Sequence, residues 1–178
     1  MRTAIAALTL TLGLALQAAA PLGRPAPELK VVEPSGKQTL LSAQKGKVVL
    51  VQFLFTWCSH CQDTAKVLSK LQGELGPQGF QVLGLAFNDE VQTKDAARNN
   101  AEVTKFKAFA NFPVGITPRD TVMKTMGFSV MDKIGVPLIL VVDRKGMVRA
   151  QSLPTGSSEL QQEASLRTLL TKPLSEKP

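Results

Sequence analysis

The chain has 178 residues, 44% of them hydrophobic and 20% charged, which is the length and balance of one globular domain. A domain of that size buries its own core without disulfide staples. With no tyrosine and few other aromatics, that core is built from Leu, Val, Ile, Ala and Phe. The net charge of +7 comes from scattered lysines and arginines with no basic run and no interleaved aromatics. That pattern excludes a nucleic-acid site and implies a solvated basic surface, with at most a mild preference for acidic partners or anionic membrane surfaces.

The first twenty residues stand apart. Arg2 precedes an apolar run from Ala4 to Leu16, and small residues follow from Ala18 to Ala20. This is the pattern of a secretory signal, and the run is short for a membrane span, which needs about 20 apolar residues. Residues 1–20 are therefore expected to be a signal peptide cut after Ala18 or Ala20, the alternative being an uncleaved N-terminal anchor. Either way the domain, 21–178, is expected to be exported, periplasmic or otherwise extracytoplasmic, where disulfides persist.

Residues 21–28 read as a proline-rich lead-in. "LKVVE" and "KQTLL" flank the turn "PSGK", predicting a hairpin over Leu29 to Leu41. "KVVLVQFLF" is a near-continuous apolar run and predicts a strand buried on both faces. From Cys58, residues Cys61, Ala65, Leu68 and Leu75 recur at helical spacing until Gly76-Pro77 and Gly79. "FQVLGLAF" predicts a second buried strand. Residues 93–110 predict a helix with Val103, Phe106 and Ala110 on its apolar face. A short helix follows in "TPRDTVMKTMG", with Thr117 as cap, Pro118 in the first turn and Gly127 as stop. "VPLILVVD", the turn "DRKG" and "MVRAQSL" predict an antiparallel edge pair. Ser158 begins a last helix to about Leu170, and residues from about 171 to 178 read as a frayed polar tail. Alternating strands and helices imply a single α/β domain with a mixed sheet flanked by helices.

"FTWCSHCQD" holds both cysteines, the only histidine and the only tryptophan. Cys58 falls where the central strand ends and a helix begins. Unpaired N–H groups and the helix dipole there favour a thiolate. Cys61 lies one turn further in on the same face, so the two sulfurs can bond with little strain. The pattern suits a nucleophilic Cys58 and a resolving Cys61 exchanging disulfides with a substrate. A protonated His60 near the Cys58 sulfur would stabilise the thiolate and make the pair more oxidising. A structural zinc site wants four protein ligands, and two cysteines with one histidine cannot supply them. A copper or haem-assembly chaperone using Cys58, Cys61 and His60 is a second class of reading. An inert staple is disfavoured, because a four-residue loop gives little loop-closure stabilisation.

"VVLVQFLFTWCSHC" resembles the active-site strand of the thioredoxin superfamily, and most closely that of the exported TlpA/ResA-like thiol-disulfide oxidoreductases, relatives of the redoxin/AhpC-TSA group. "GRPAPEL", "GKVVLVQF" and "IGVPLILVVDRKGMV" extend the resemblance over about residues 25–156. It implies a thioredoxin fold with an N-terminal β-hairpin and a central βα insert. Roughly 80 residues separate Cys58 from Pro137, which leaves room for that insert. It implies a cis Pro137 packed against the cysteine pair, a Val136 backbone that pairs with a substrate strand, and a Trp57 that flanks the site. Gln52 stands six residues before Cys58, where thioredoxin has a buried aspartate. Asp89, with Glu90 beside it, falls nearest the carboxylate of the ResA-like branch and is the expected acid-base partner. The expected partners are protein thiols and disulfides, and a membrane thiol-disulfide electron donor. The expected cofactors are none beyond the cysteine pair, with no metal, and the expected state is a monomer. "CSHC" lacks the proline common between the cysteines of this branch and shares its histidine with the oxidising DsbA type. A peroxide-reducing redoxin is the alternative enzyme. It needs a threonine or serine three residues before the cysteine, where Phe55 stands here and Thr56 falls one residue late.

Overall fold

The computed structural model describes residues 22–88 and 95–177. The expected signal segment, Asp89 and Glu90 lie outside the described residues. In chain order the elements are β1 (Lys30–Val32), β2 (Gln38–Leu40), β3 (Val48–Leu54), α1 (Ser59–Leu75), β4 (Phe80–Ala86), α2 (Ala96–Phe106), β5 (Val114–Ile116), α3 (Arg119–Met126), β6 (Leu138–Val142), β7 (Val148–Gln151) and α4 (Glu163–Ser175). β1 and β2 form a separate antiparallel hairpin, and the other strands form one sheet in the order β5-β4-β3-β6-β7.

β3 is the centre of that sheet because all seven of its residues are buried. It runs parallel to β4, with Val51 opposite Leu83, and antiparallel to β6, with Val51 opposite Leu140. Alternation sends Val48, Leu50 and Leu54 to the face covered by α1, α2 and α4, where they meet Leu68, Leu71, Phe106 and Leu166. Val49, Val51 and Phe53 face the other way, against Leu29, Val31, Val122 and Met126 from the hairpin and α3. The apolar run in the sequence is thus two cores back to back, and each fully buried Leu, Val or Phe contributes about 1.5–3 kcal/mol. Gln52 falls on the α1 face and is also wholly buried.

The structure corrects the sequence reading in five places. β5 was not expected: a three-residue "VGI" between Pro113 and Pro118 is too short to show a period, yet it pairs parallel with β4. The helix expected over 93–110 is shorter, with Asp95 capping the N–H groups of Ala97 and Arg98 at 2.9 and 3.3 Å. Thr117 is not the cap of α3. Its N–H continues the sheet to Ala86 O at 2.8 Å, so Pro118 takes the cap position and the helix starts at Arg119. The tail is not frayed through Ser175. Leu170 and Pro173 bury against the core and Arg144 donates to Leu174 O at 3.0 Å, which holds the last turns of α4. Ser158 sits in a single 3₁₀ turn before that helix rather than at its cap.

Candidate active site

Cys58 is the N-cap of α1, with φ −74° and ψ 117°, directly after the core strand β3. Its sulfur accepts the Cys61 N–H at 3.3 Å. That bond and the other open N–H groups of the first turn favour negative charge on the sulfur. Cys58 is part-exposed and Cys61 is wholly buried, both as free thiols. Burial raises the Cys61 thiol far above its ordinary range, the Cys58 sulfur adds to the rise through hydrogen bonding and charge, and a backbone hydrogen bond with Phe55 opposes it. The two sulfurs therefore differ in access and in the cost of ionising.

The Val136–Pro137 peptide, in the loop before β6, is cis. The Cys58 thiol faces Val136 O at 3.9 Å, a long contact for a weak donor. Trp57 is 42% exposed and stacks on Phe55 at 5.2 Å and 11°, while Phe55 packs on Phe87 at 4.7 Å. His60, in the first turn of α1, is exposed. The fold thus brings Val136 to Cys58, next to Trp57 and Cys61, and leaves His60 at the solvent edge.

Gln52 occupies the ground beneath the pair. Its Nε2 donates to Cys61 O at 2.9 Å, while its buried Oε1 has no hydrogen-bond partner. The glutamine anchors the backbone of the resolving cysteine and has no proton to exchange.

Two polar residues of the site, Asn88 and Gln62, escaped the sequence reading. Asn88, just past β4, accepts the Thr56 N–H at 3.1 Å and the Thr56 hydroxyl at 3.3 Å. Gln62 on α1 donates to Thr56 O at 3.0 Å. Thr56 is therefore held from two elements, which fixes the turn that presents Trp57 and Cys58. No local signal points to this lock, because Thr56 and Asn88 are 32 residues apart. Among the described residues no three His, Cys, Asp or Glu side chains cluster as a metal site would require, and no helix is long and apolar enough to cross a membrane.

Known proteins resemble this chain in sequence and in fold. The family model described as AhpC/TSA matches residues 22–151. The thiol-disulfide oxidoreductase ResA of Bacillus thuringiensis subsp. konkukian is 28% identical over 127 residues, covering 71% of this chain and 66% of that protein. Protein FixW of Rhizobium leguminosarum is 28% identical over 134 residues, covering 71% and 58%. The chain thus spans somewhat less than two thirds of the length of these curated relatives. Among solved structures, a thiol:disulfide interchange protein of the thioredoxin family from Chlorobium tepidum superposes with a TM-score of 0.65 at 22% identity, covering 88% of this chain and 100% of that one. A thiol:disulfide interchange protein from Bacteroides sp. gives 0.62 at 22% identity, covering 88% and 91%. These likenesses show the thioredoxin-like fold.

Proposed function

The chain belongs to the AhpC/TSA family, and within it we propose that this protein is a thiol-disulfide oxidoreductase acting on exported protein substrates through Cys58 and Cys61. The observation that carries this reading is the asymmetry of the pair: an accessible sulfur at a helix N-cap beside a buried one, three residues apart.

The reaction follows from that asymmetry. The Cys58 thiolate attacks one sulfur of a substrate disulfide. The substrate S–S bond breaks, one substrate thiolate leaves and takes up a proton, and Cys58 is joined to the substrate. Cys61 then loses its proton and attacks the Cys58 sulfur, which breaks the mixed disulfide and releases the second substrate thiol. Two electrons pass to the substrate and the protein is left as the Cys58–Cys61 disulfide. Run backwards, the same steps oxidise a substrate dithiol. Val136 O, facing Cys58 beside the cis bond, supports the reading that a substrate strand docks there by backbone hydrogen bonds. A membrane dithiol donor outside the cytoplasm is the proposed source of electrons, and no dissociable cofactor enters the scheme.

A peroxidase is the second reading that the family suggests. Thr56 lies two residues before Cys58, and its hydroxyl is engaged by Asn88 rather than free to bind peroxide beside the sulfur. Stopped-flow mixing of the reduced protein decides between them. Rapid reduction of a protein disulfide, with slow oxidation by micromolar peroxide, is expected. Fast Cys58 oxidation by micromolar peroxide, with no turnover on protein disulfides, would overturn the proposal.

A further inference from the structure

Two glycine turns abut at the end of the sheet opposite Cys58. Lys45-Gly46-Lys47 leads into β3, and Arg144-Lys145-Gly146 joins β6 to β7. The Gly46 N–H donates to Arg144 O at 3.0 Å, so turns from distant parts of the chain lie side by side. The lead-in closes over them, with the Ala26 N–H on Gly146 O at 2.9 Å. Between turns and lead-in lies a cleft of about 300 Å³, at the lower end of the range for small-molecule sites.

The walls of this cleft divide by chemistry. Pro25, Pro27, Leu41 and Val142 supply an apolar lining, and Lys45, Lys47 and Lys145 supply three ammonium groups. The two carboxylates that also line it are already committed. Glu28 accepts the N–H groups of Leu29 and Ser42 at 3.0 and 3.2 Å. Asp143 accepts those of Lys145 and Met147, both at 2.9 Å, and pairs with Arg149. Among the described residues none of the three lysines has a carboxylate partner, and Lys47 reaches only Gln44 Oε1 at 3.2 Å. Arg144 adds charge nearby, with its two terminal nitrogens donating to Gly46 O, Gln78 O and Leu174 O. With Asp143 paired to Arg149, three lysines face one carboxylate, that of Glu28, so the cleft carries a surplus of positive charge above an apolar floor.

We propose that this cleft is a binding site for a phosphate ester with a short apolar body. Lysines act on phosphate as point charges, and several of them around one opening match an anion with several oxygens. The prolines and Leu41 would cover the ester's body. The ligand could reach the cleft as a free small molecule or as the headgroup of an anionic lipid, with the same chemistry in both cases. The seven residues of β3 separate this site from Cys58 by about 20 Å, so a ligand there does not touch the cysteine pair.

Titration of the ¹⁵N-labelled full chain with n-butyl phosphate tests the site. Saturable amide shifts confined to residues 42–47 and 143–147 are expected. The double variant Lys45→Gln/Lys145→Gln should bind at least tenfold more weakly while its disulfide exchange rate stays unchanged. Flotation with phosphatidylglycerol vesicles, against phosphatidylcholine vesicles, separates the two sources: capture that the double variant loses assigns a lipid headgroup, and butyl phosphate binding without such capture assigns a free ester. The absence of saturable shifts with butyl phosphate together with no lysine-dependent vesicle capture overturns the proposal, as does full affinity in the double variant.

Discussion

The Cys61 N–H donates to the Cys58 sulfur at 3.3 Å, while the Cys61 side chain itself is wholly buried. One residue thus stabilises charge on its neighbour's sulfur with its backbone and hides its own sulfur. Iodoacetamide at neutral pH is expected to label Cys58 at least tenfold faster than Cys61, as read by peptide mass mapping. Cys61→Ser should accumulate a mixed disulfide with substrate, and Cys58→Ser should form none. Equal labelling of both thiols would remove the assigned roles.

Burial also links Cys61 to stability. A thiol in the unfolded chain ionises near pH 8.5, and in the folded dithiol form burial holds the proton on well above that. Above about pH 8.5 the unfolded state binds fewer protons than the folded one, so stability falls as pH rises, and below that pH the contribution is intact. The slope for one proton is at most about 1.4 kcal/mol per pH unit. Urea denaturation of the reduced protein between pH 7 and 10 should show this extra loss relative to Cys61→Ala, and parallel curves would contradict it.

Asn88 is expected to matter more than its place beside a loop suggests. Asn88→Ala removes the acceptor for both the N–H and the hydroxyl of Thr56, a cost of about 1–3 kcal/mol. It should also slow mixed-disulfide formation several-fold by loosening the turn that holds Cys58. Asn88→Asp keeps the acceptor and should recover most of the loss in both denaturation and exchange assays.

Gly135 immediately precedes the cis peptide and packs against the turn at Pro154–Thr155, where its N–H donates to Pro154 O at 2.8 Å. A Cβ there would sit 2.5 Å from Thr155 O, a backbone atom that cannot swing away. Gly135→Ala should cost about 1–3 kcal/mol by overpacking and reduce the exchange rate by displacing Val136. Gly73→Ala, where a Cβ meets open space within α1, is the control and should be neutral or stabilising by about 0.5–1 kcal/mol. A neutral Gly135→Ala would show that the loop yields.

His60 stands exposed in the first turn of α1, next in sequence to Cys61. If its imidazolium stabilises the reduced pair, His60→Ala makes the pair more reducing, and a tenfold change in the exchange equilibrium corresponds to about 30 mV. Glutathione titration read by Trp57 fluorescence measures it. An unchanged potential would leave His60 without a role in tuning.

Most of the fold was legible because its signals are local. The apolar run of β3, broken only by Gln52, the turns at Gly36 and Gly146 and the 3.6-residue spacing of Cys61, Ala65 and Leu68 each lie within one short window of sequence. β5 was not legible, because three residues carry no period and their strand exists only by pairing with β4. The end of α4 was hidden for a similar reason: Pro173 reads as a breaker until the burial of Leu170 and the bond from Arg144 outweigh it.

The site divides along the same line. The sequence by itself determined a strand-to-helix junction with two thiols one turn apart, since chain connectivity and the helix repeat suffice to place Cys58 at the cap and Cys61 behind it. Only the tertiary structure decided that Val136 O faces Cys58, that Asn88 locks Thr56 and that the Lys45–Lys47 and Arg144–Gly146 turns meet around one cleft. Each of those contacts joins segments separated by 32 to 98 residues. Their geometry is set by strand order and register across the sheet, which no window of sequence contains.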